Sequence, residues 1–348
     1  MLLDVRSLTV ELPTPTCWIR PVQDVSLHIA PGEALGLVGE SGSGKTMLSL
    51  ALMGLLPPGA RVSGEAWFNV AETLAASEPA SSATSANHRV NLLALEADSL
   101  RSLRGQSLAM IFQEPMTALN PVLRVGAQIE EAVRAHEPRL AREEVGRRTL
   151  AALERAAVPE PALRAHQFPH QLSCGLRQRA LIAMALTGAP RLLIADEPTT
   201  ALDVTVQKQI LDLLARLQRD LGLALLFITH DLAVVAEVAS RLIVLYAGRI
   251  VGEGPAHELL THPRHPYTQG LLAASPSLDR KTLVPIPGNV PRLDALPPGC
   301  AFEPRCPLRR PECSAALPDL RAISEQRVLS EAEPRPASAD HRARCILV

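Results

Sequence analysis

One octapeptide restricts the possible folds of this chain more than any other feature. It follows the apolar run 34–38, precedes a helical pattern, and reads Gly39, Glu40, Ser41, Gly42, Ser43, Gly44, Lys45, Thr46. Glycines let backbone N–H groups wrap a phosphate at a helix N-terminus, Lys45 neutralises β and γ phosphates, and the Thr46 hydroxyl can bind Mg²⁺. The alternative is a chance Gly-Ser loop. The full octapeptide between a strand and a helix instead predicts a nucleoside triphosphate site.

Two carboxylates farther along the chain suit the same chemistry. Asp196 and Glu197 follow the apolar run 192–195, and a helical stretch at 206–221 leads to a second apolar run at 224–228. This strand-helix-strand pattern predicts a parallel sheet, in which ligands lie beyond the carboxyl ends of the strands. Asp196 is expected to hold Mg²⁺ through water and Glu197 to act as general base. Without the octapeptide, the same pair would more often mark a strand and a solvated turn.

Composition limits the class of protein. The chain has 348 residues, of which 47% are hydrophobic, so it can bury a large core and form about two domains. Its formal net charge is -1, which gives no reason to expect a nucleic-acid partner. The sequence shows no apolar run of the ~18 residues that a membrane span needs and no secretory start, so we expect a cytosolic chain. Six cysteines in a reducing compartment do not predict a disulfide framework.

The pattern along the chain predicts several regions. Residues 2–12 and 22–29 alternate as strands do, whereas 71–88 is rich in Ala and Ser and is expected to be a flexible surface insertion. Residues 125–188 have the apolar spacing of helices. Beyond residue 262 prolines become dense, which indicates a separate C-terminal extension.

Four further segments complete an ordered set of motifs. Residues 171–179 (QLSCGLRQR) resemble the signature LSGGQxQR, and the others are Gln113 after the run 108–112, residues 201–203 (ALD) and residues 229–231 (THD). Taken in chain order, from Gln113 to His230, the four segments resemble the Q-loop, signature, D-loop and switch histidine of ATP-binding subunits of ABC transporters. A lone Gln or His after a strand is more often a surface or capping residue, so it is the ordered set that carries the resemblance.

The resemblance implies roles for individual residues. It implies that Gln113 senses the metal and couples to the membrane partner, that Asp203 works across a dimer interface and that His230 contacts the γ-phosphate. Ser173 and Gly175 are expected to approach the γ-phosphate held by a second subunit. Family members usually carry an aromatic residue that stacks on adenine, and Trp18 is the candidate. Whether Trp18 stacks on adenine or packs in the protein is left open by the sequence.

Three segments narrow the resemblance to the dipeptide and oligopeptide (peptide/nickel) importers: residues 113–121, residues 262–272 and the C-terminal cysteines. The implied fold is an α/β P-loop cassette at 1–262, with a RecA-like core, an antiparallel β subdomain and an inserted helical subdomain at about 114–190, then an irregular extension at 263–348. The implied partners are a second ATPase subunit in a heterodimer, two permease subunits and an extracytoplasmic solute-binding protein. The implied location is peripheral, at the cytoplasmic face of the inner membrane.

Four cysteines of the extension are candidate metal ligands: Cys300, Cys306, Cys313 and Cys345. They resemble the cysteines of dipeptide-importer ATPases, in which four thiolates can hold a 4Fe-4S cluster. Thiolates suit iron-sulfur clusters or zinc, but no tight CxxC pair is present, so a zinc ribbon is not indicated. The cluster, zinc and free buried thiols all remain open here. Cys17 and Cys174 are isolated, and we expect structural roles for them.

The signature departs from its family at Cys174, which replaces the first glycine; Leu176, in place of Gln, is common in the peptide-importer branch. A sulfur at this close approach is expected to crowd the partner's phosphate, or to strain the backbone if φ is positive. The resemblance implies that each ATP site of a dimer is composite, built from the signature of one subunit and the phosphate loop of the other. Only the composite site that uses this chain's signature would be weakened, which makes an asymmetric heterodimer plausible.

Two other classes of protein fit parts of the motif pattern. One is a soluble ABC ATPase of repair or translation, and the other is a binding-only module that has lost hydrolysis.

Overall fold

The computed structural model describes residues 1–70, 89–200, 202–275, 283–323 and 340–348. The expected insertion at 71–88 and Ala201 of the expected D-loop lie outside these ranges. Within them the chain folds into two compact units, the first formed by residues 1–4, 28–33 and 66–226 and the second by residues 5–27, 34–65 and 227–348. Strands and helices occur in both units, as the predicted α/β class requires.

The strands are β1 (Leu3–Pro13), β2 (Trp18–Ile29), β3 (Ala34–Val38), β4 (Arg61–Asn69), β5 (Arg89–Asn91), β6 (Leu108–Ile111), β7 (Leu192–Asp196), β8 (Ala224–Thr229), β9 (Arg241–Tyr246), β10 (Arg249–Pro255), β11 (Arg321–Ala322) and β12 (Arg342–Ala343). The helices are α1 (Lys45–Met53), α2 (Ala97–Leu103), α3 (Pro115–Ala118), α4 (Val125–His136), α5 (Arg142–Arg155), α6 (Pro161–Ala165), α7 (Cys174–Ala185), α8 (Val204–Leu221), α9 (Leu232–Ala236), α10 (Ala256–Thr261), α11 (Pro266–Ala274) and α12 (Glu312–Ala315). Short 3-10 turns lie at Pro169–Gln171 and Glu303–Arg305.

In the first unit, β6 and β7 form a parallel pair in which Leu108 faces Leu192 and Ile111 faces Ala195. Every residue of β7 is buried. A strand that is buried on both faces needs a continuous apolar run, which is the pattern at 192–195 that predicted a parallel strand. In the same unit β4 pairs with β5 in antiparallel register.

The helices of the first unit follow the predicted periodicity. Helices α4 to α7 occupy most of the stretch 125–188, which carried the helical pattern. The 18-residue helix α8 buries one apolar stripe that includes Ile210, Leu214 and Leu217, and it ends at Gly222 with a φ of 61°. Helix α8 therefore confirms the helix predicted between the apolar runs at 192–195 and 224–228.

In the second unit, β3 and β9 run parallel, with Val38 opposite Val244. Strand β10 pairs antiparallel with β9, β12 pairs with β10, and β11 pairs with β12. Most of β1 and of β2 also belongs to this unit, where the two strands are neighbours in a sheet. The C-terminal extension thus contributes two short strands to the sheet of this unit, although its sequence predicted only irregular structure. The predicted boundary between 262 and 263 stays a prediction.

Candidate functional site

The octapeptide forms the turn between β3 and α1, in the second unit. Strand β3 is entirely buried, and α1 begins at Lys45 directly after Gly44, whose φ is 105°. A Cβ at Gly44 would lie 2.0 Å from the carbonyl oxygen of Pro21, so both the backbone angle and the space require glycine here. The turn therefore has the strand-loop-helix geometry that the sequence predicted.

Lys45 lies over its own loop. The residue is 5% exposed, and its ammonium Nζ donates to the carbonyl oxygen of Gly39 at 2.6 Å and to that of Glu40 at 2.9 Å. Ser41 and Gly42, at the tip of the turn, are exposed, whereas Ser43 is buried and Thr46 is half-buried. A buried cation in contact with an exposed turn at the start of a helix suits the binding of phosphate oxygens.

The first unit brings Gln113 and Glu197 together. Gln113 Nε2 donates to Glu197 Oε2 at 3.2 Å, and the Thr200 hydroxyl donates to the same oxygen at 2.9 Å. Glu197 has a φ of 47°, in the left-handed region that side chains other than glycine rarely adopt. Residues held in such conformations cluster at functional sites, and six other non-glycine residues of the described chain also have a positive φ.

Asp196 ends β7 and is 1% exposed. A carboxylate at that depth needs a compensating positive charge, and oxygen ligands are those that Mg²⁺ prefers. This burial is the observation that fits Asp196 to a cation. Glu197 follows it and is half-buried, so the two neighbouring carboxylates have different surroundings.

The signature residues lie at the start of α7. Ser173 is the N-cap, and its hydroxyl accepts a hydrogen bond from the Leu176 N–H at 3.3 Å. A Cβ at Gly175 would lie 2.6 Å from Cγ1 of Val206 in α8, so this glycine lets the two helices approach. Cys174 is exposed, and its φ is not positive. The condition for backbone strain at Cys174 is therefore not met, and the crowding of a bound phosphate remains as the hypothesis.

Asp203, His230 and Trp18 have simpler surroundings. Asp203 caps α8 by accepting a hydrogen bond from the Val206 N–H at 2.9 Å. His230 is exposed directly after β8. Trp18 is 41% exposed at the start of β2, and the Arg61 guanidinium carbon lies 3.9 Å from its ring centroid. The roles inferred for these three residues in binding nucleotide stay predictions.

The four cysteines of the extension line one cavity in the second unit, together with residues that include His265, Phe302 and Leu347; the four are Cys300, Cys306, Cys313 and Cys345. Burial and the neighbouring cysteines raise the pKa of the Cys300 thiol to about 11. All six cysteines of the chain are described, and each is a free thiol. Among the described residues, however, no group of three His, Cys, Asp or Glu side chains is placed to hold a metal ion. The donor chemistry therefore fits a thiolate-bound metal, but the geometry does not form a ligand set.

Cys17 lies in the turn between β1 and β2, and the structural role expected of it stays a prediction. Its N–H donates to the Thr14 hydroxyl at 3.0 Å, and its carbonyl oxygen accepts from that hydroxyl at 2.7 Å. These two bonds close the turn between β1 and β2.

Sequence reasoning missed two residues that contact the octapeptide. The Tyr267 hydroxyl accepts a hydrogen bond from the Glu40 N–H at 2.8 Å, and the Arg305 guanidinium forms an ion pair with the Glu40 carboxylate at 2.7 Å. Both residues lie more than 220 positions from Glu40 in the sequence. Two local signals existed, since Tyr267 lies in the segment 262–272 and Arg305 immediately precedes Cys306, but neither indicated what the side chain contacts.

The part of the chain that the structure covers includes no helix both long and apolar enough to cross a bilayer.

Two protein families match this chain. The ABC transporter family matches residues 22–200, and the C-terminal region of oligopeptide/dipeptide transporters matches residues 251–313. These two matches agree with the resemblance inferred from the motifs.

Curated relatives extend the similarity over almost the whole chain. The dipeptide transport ATP-binding protein DppD of Haemophilus influenzae is 45% identical over 331 residues, which is 94% of each chain. The oligopeptide transport ATP-binding protein OppD of Escherichia coli is 44% identical over 319 residues, covering 91% of this chain and 89% of the relative. A solved dimeric ATP-binding cassette in a post-hydrolysis state, bound to ADP and Pi, is similar in structure with a TM-score of 0.61 and 27% identity, covering 73% of this chain and 98% of that one.

Proposed function

The chain belongs to the ABC transporter family, and from this premise we propose that it binds and hydrolyses ATP to drive a membrane importer of dipeptides or oligopeptides. The observation that carries hydrolysis is the hydrogen bond between Gln113 and Glu197 beyond the ends of two parallel strands. The phosphate loop with its buried Lys45 supports ATP as the substrate. The direct test is ATP turnover by the chain assembled with its permease partners, compared with that of a Lys45→Ala variant. Equal turnover would reject the proposal.

We propose that Glu197 is the general base. Its carboxylate takes a proton from the attacking water, the water oxygen bonds to the γ-phosphorus, and the bond from that phosphorus to the bridging oxygen of ADP breaks. Gln113 and Thr200 both donate to Glu197 Oε2, which fixes the orientation of the carboxylate. The intact Glu197 favours hydrolysis over a binding-only module.

The oxygens of Thr46, Gln113 and Asp196 would hold Mg²⁺, the last through water. Mg²⁺ supplies charge that neutralises the phosphate oxygens. Trp18 is proposed to stack on the adenine ring of ATP, and the Arg61 guanidinium lies over the Trp18 ring. His230 is proposed to contact the γ-phosphate.

The proposed assembly is a dimer of two ATPase subunits on two permease subunits. Ser173 and Gly175 would reach the γ-phosphate held by the partner subunit, and Asp203 would act across the same interface. A solute-binding protein outside the membrane would deliver the peptide to the permease. The chain would then lie peripherally at the cytoplasmic face of the inner membrane, with no role for nucleic acid.

We further propose that the cysteine cavity holds a metal centre, a 4Fe-4S cluster with zinc as the alternative. The support is that four thiols line one cavity and that thiolates are the preferred ligands of both centres. Because the pKa of Cys300 is about 11, its thiolate would need a bound metal to persist at neutral pH. The side chains would have to move to form the ligand set.

The composite site that uses this chain's signature is proposed to be the weaker of the two. Cys174 is the first residue of α7 and is exposed, so its sulfur lies where the family has only a glycine hydrogen. The site built from this chain's own Lys45, Glu197 and His230 meets the partner's signature and is unaffected. The two sites of a heterodimer would then differ in rate.

A further inference from the structure

Glu40 of the phosphate loop is held by three different groups. Its N–H donates to the Tyr267 hydroxyl at 2.8 Å, its carbonyl oxygen accepts from Lys45 Nζ at 2.9 Å, and its carboxylate accepts two bonds from Arg305, at 2.7 Å from Nη1 and 3.0 Å from Nη2. Tyr267 and Arg305 both lie beyond the matched cassette segment 22–200. The C-terminal region therefore contacts the backbone and the side chain of this loop residue directly.

The Arg305 side chain is buried in a site that fits its guanidinium. It is 5% exposed, against 28% for Glu40. Arg305 Nε donates to the Pro287 carbonyl oxygen at 2.9 Å, and Nη1 also reaches the Tyr246 hydroxyl at 3.3 Å. The hydrogen bonds to Glu40 raise the pKa of Arg305 further above its already high value, so the charge is permanent. Two parallel bonds from one planar guanidinium to one carboxylate fix the position of that carboxylate in space.

An aromatic cluster holds both contacts in place. The rings of Tyr246, Tyr267 and Phe302 lie with centroids 4.5 to 5.3 Å apart, and all three side chains are fully buried. The Arg305 guanidinium carbon lies 5.9 Å from the ring centroids of Tyr246 and Phe302. Buried rings in close contact have little freedom to move, so the Tyr267 hydroxyl and the guanidinium approach Glu40 from fixed positions.

Stability alone does not explain a buried ion pair at this point. Removing two charges from water costs about as much as their attraction returns, and well-packed apolar side chains often stabilise a fold equally well. The arginines of other ion pairs in the described part of the extension are far more exposed, with side chains at 82% for Arg292 and 71% for Arg321. A glycine-rich loop, by contrast, loses much conformational freedom when it orders around a phosphate. A contact that orders the loop beforehand reduces this loss at the moment of binding.

We propose that Arg305 is a positioning residue for the phosphate loop, holding Glu40 so that the loop N–H groups and Lys45 are already aligned for the β and γ phosphates. This inference rests on the proposed binding of ATP by that loop. It assigns to the C-terminal extension a direct part in nucleotide affinity, which the sequence had placed in the cassette alone.

The test is equilibrium binding of Mg·ATP to the full-length chain, well below the melting temperature of every variant. Arg305→Met keeps the length and apolar stem of the side chain but removes its charge, and should weaken binding about 10-fold, or about 1.4 kcal/mol. Arg305→Lys keeps the charge but loses the two-bond geometry, and should fall between Arg305→Met and the unmodified chain. Arg292→Met is the matched control in the same extension and should leave affinity unchanged.

Glu40→Gln tests the same pair from the side of the loop, with almost no change in volume, and serves if Arg305→Met fails to fold. If both residues act through one contact, the double variant Glu40→Gln with Arg305→Met should bind ATP no worse than about twofold below the weaker single variant. In the assembled complex, Arg305→Met should raise the KM for ATP and change kcat little. A purely structural lesion would not separate KM from kcat in this way.

The outcomes are distinguishable. Lys45→Ala removes the main cationic contact to the phosphates and must weaken binding if the proposed function is right. Should Lys45→Ala weaken binding while Arg305→Met behaves like Arg292→Met, the positioning role is wrong and the proposed function stands. Fully additive losses from Arg305→Met and Glu40→Gln would also reject the positioning role. Unchanged binding in Lys45→Ala would overturn both.

Discussion

The side-chain amide of Gln113 donates to the carboxylate of Glu197 across 3.2 Å, although 84 residues separate them. The parallel register of β6 and β7 explains this contact, because Ile111 faces Ala195 and each functional residue lies two positions farther on. Both side chains thus emerge at the same end of two neighbouring strands, where α/β proteins bind their ligands.

Glu197→Gln should retain ATP binding and lower turnover by ~10²-fold or more, since an amide cannot accept the proton of the attacking water. Turnover is measured in the assembled complex and affinity by equilibrium binding. Glu154→Gln, on the exposed surface of α5, is the control and should change neither. Turnover within a few-fold of the unmodified chain would remove Glu197 from the role of base.

Gly175→Ala should destabilise the first unit by ~1–3 kcal/mol, because the added Cβ would lie 2.6 Å from Val206. The measurement is chemical denaturation of the full chain. The matched control is Gly146→Ala in α5, where a Cβ meets nothing within 4 Å, and there the better helix propensity of alanine should stabilise by ~0.5–1 kcal/mol.

A second substitution tests the cause of that loss. Val206→Ala removes the methyl groups nearest to the added Cβ, so combining it with Gly175→Ala should recover stability relative to the sum of the two single variants. Strict additivity would show that Gly175 and Val206 do not meet.

Protein purified without oxygen should be brown, absorb broadly near ~400 nm and contain about four irons per chain if the cavity cysteines hold a 4Fe-4S cluster. Cys306→Ser should lose the metal, whereas Cys17→Ser, which alters a cysteine outside the cavity, should keep it. Colourless protein with one zinc per chain would replace the cluster by its alternative, and metal-free protein would leave four free thiols around the cavity.

Cys174→Gly should raise turnover at the composite site that uses this chain's signature, because the sulfur no longer crowds the γ-phosphate. Cys174→Ala, which removes the sulfur but keeps the Cβ, should have a smaller effect. The gain should vanish when the partner's own catalytic glutamate is disabled, since that silences the same site. A gain that persists with the disabled partner would mean that Cys174 acts within its own subunit, and the crowding argument would be wrong.

Residues close together in the sequence determined much of this protein by themselves. The octapeptide predicted a turn between a strand and a helix. At position 44, just before α1, φ is 105°, an angle that glycine adopts readily, and this requirement is local to the octapeptide. The apolar run at 192–195 predicted a buried strand from local sequence as well, because a strand buried on both faces needs consecutive apolar side chains. The ordered motifs then sufficed to identify the family.

Only the tertiary structure decided which distant side chains meet. The contact between Arg305 and Glu40 spans 265 positions, and nothing in either neighbourhood specifies the other partner. The 2.6 Å approach at Gly175 likewise depends on how α7 lies against α8. Propensities and motif spacings act over a few residues, whereas the position of a buried ion pair or of four cysteines around one cavity is set by the packing of the folded chain.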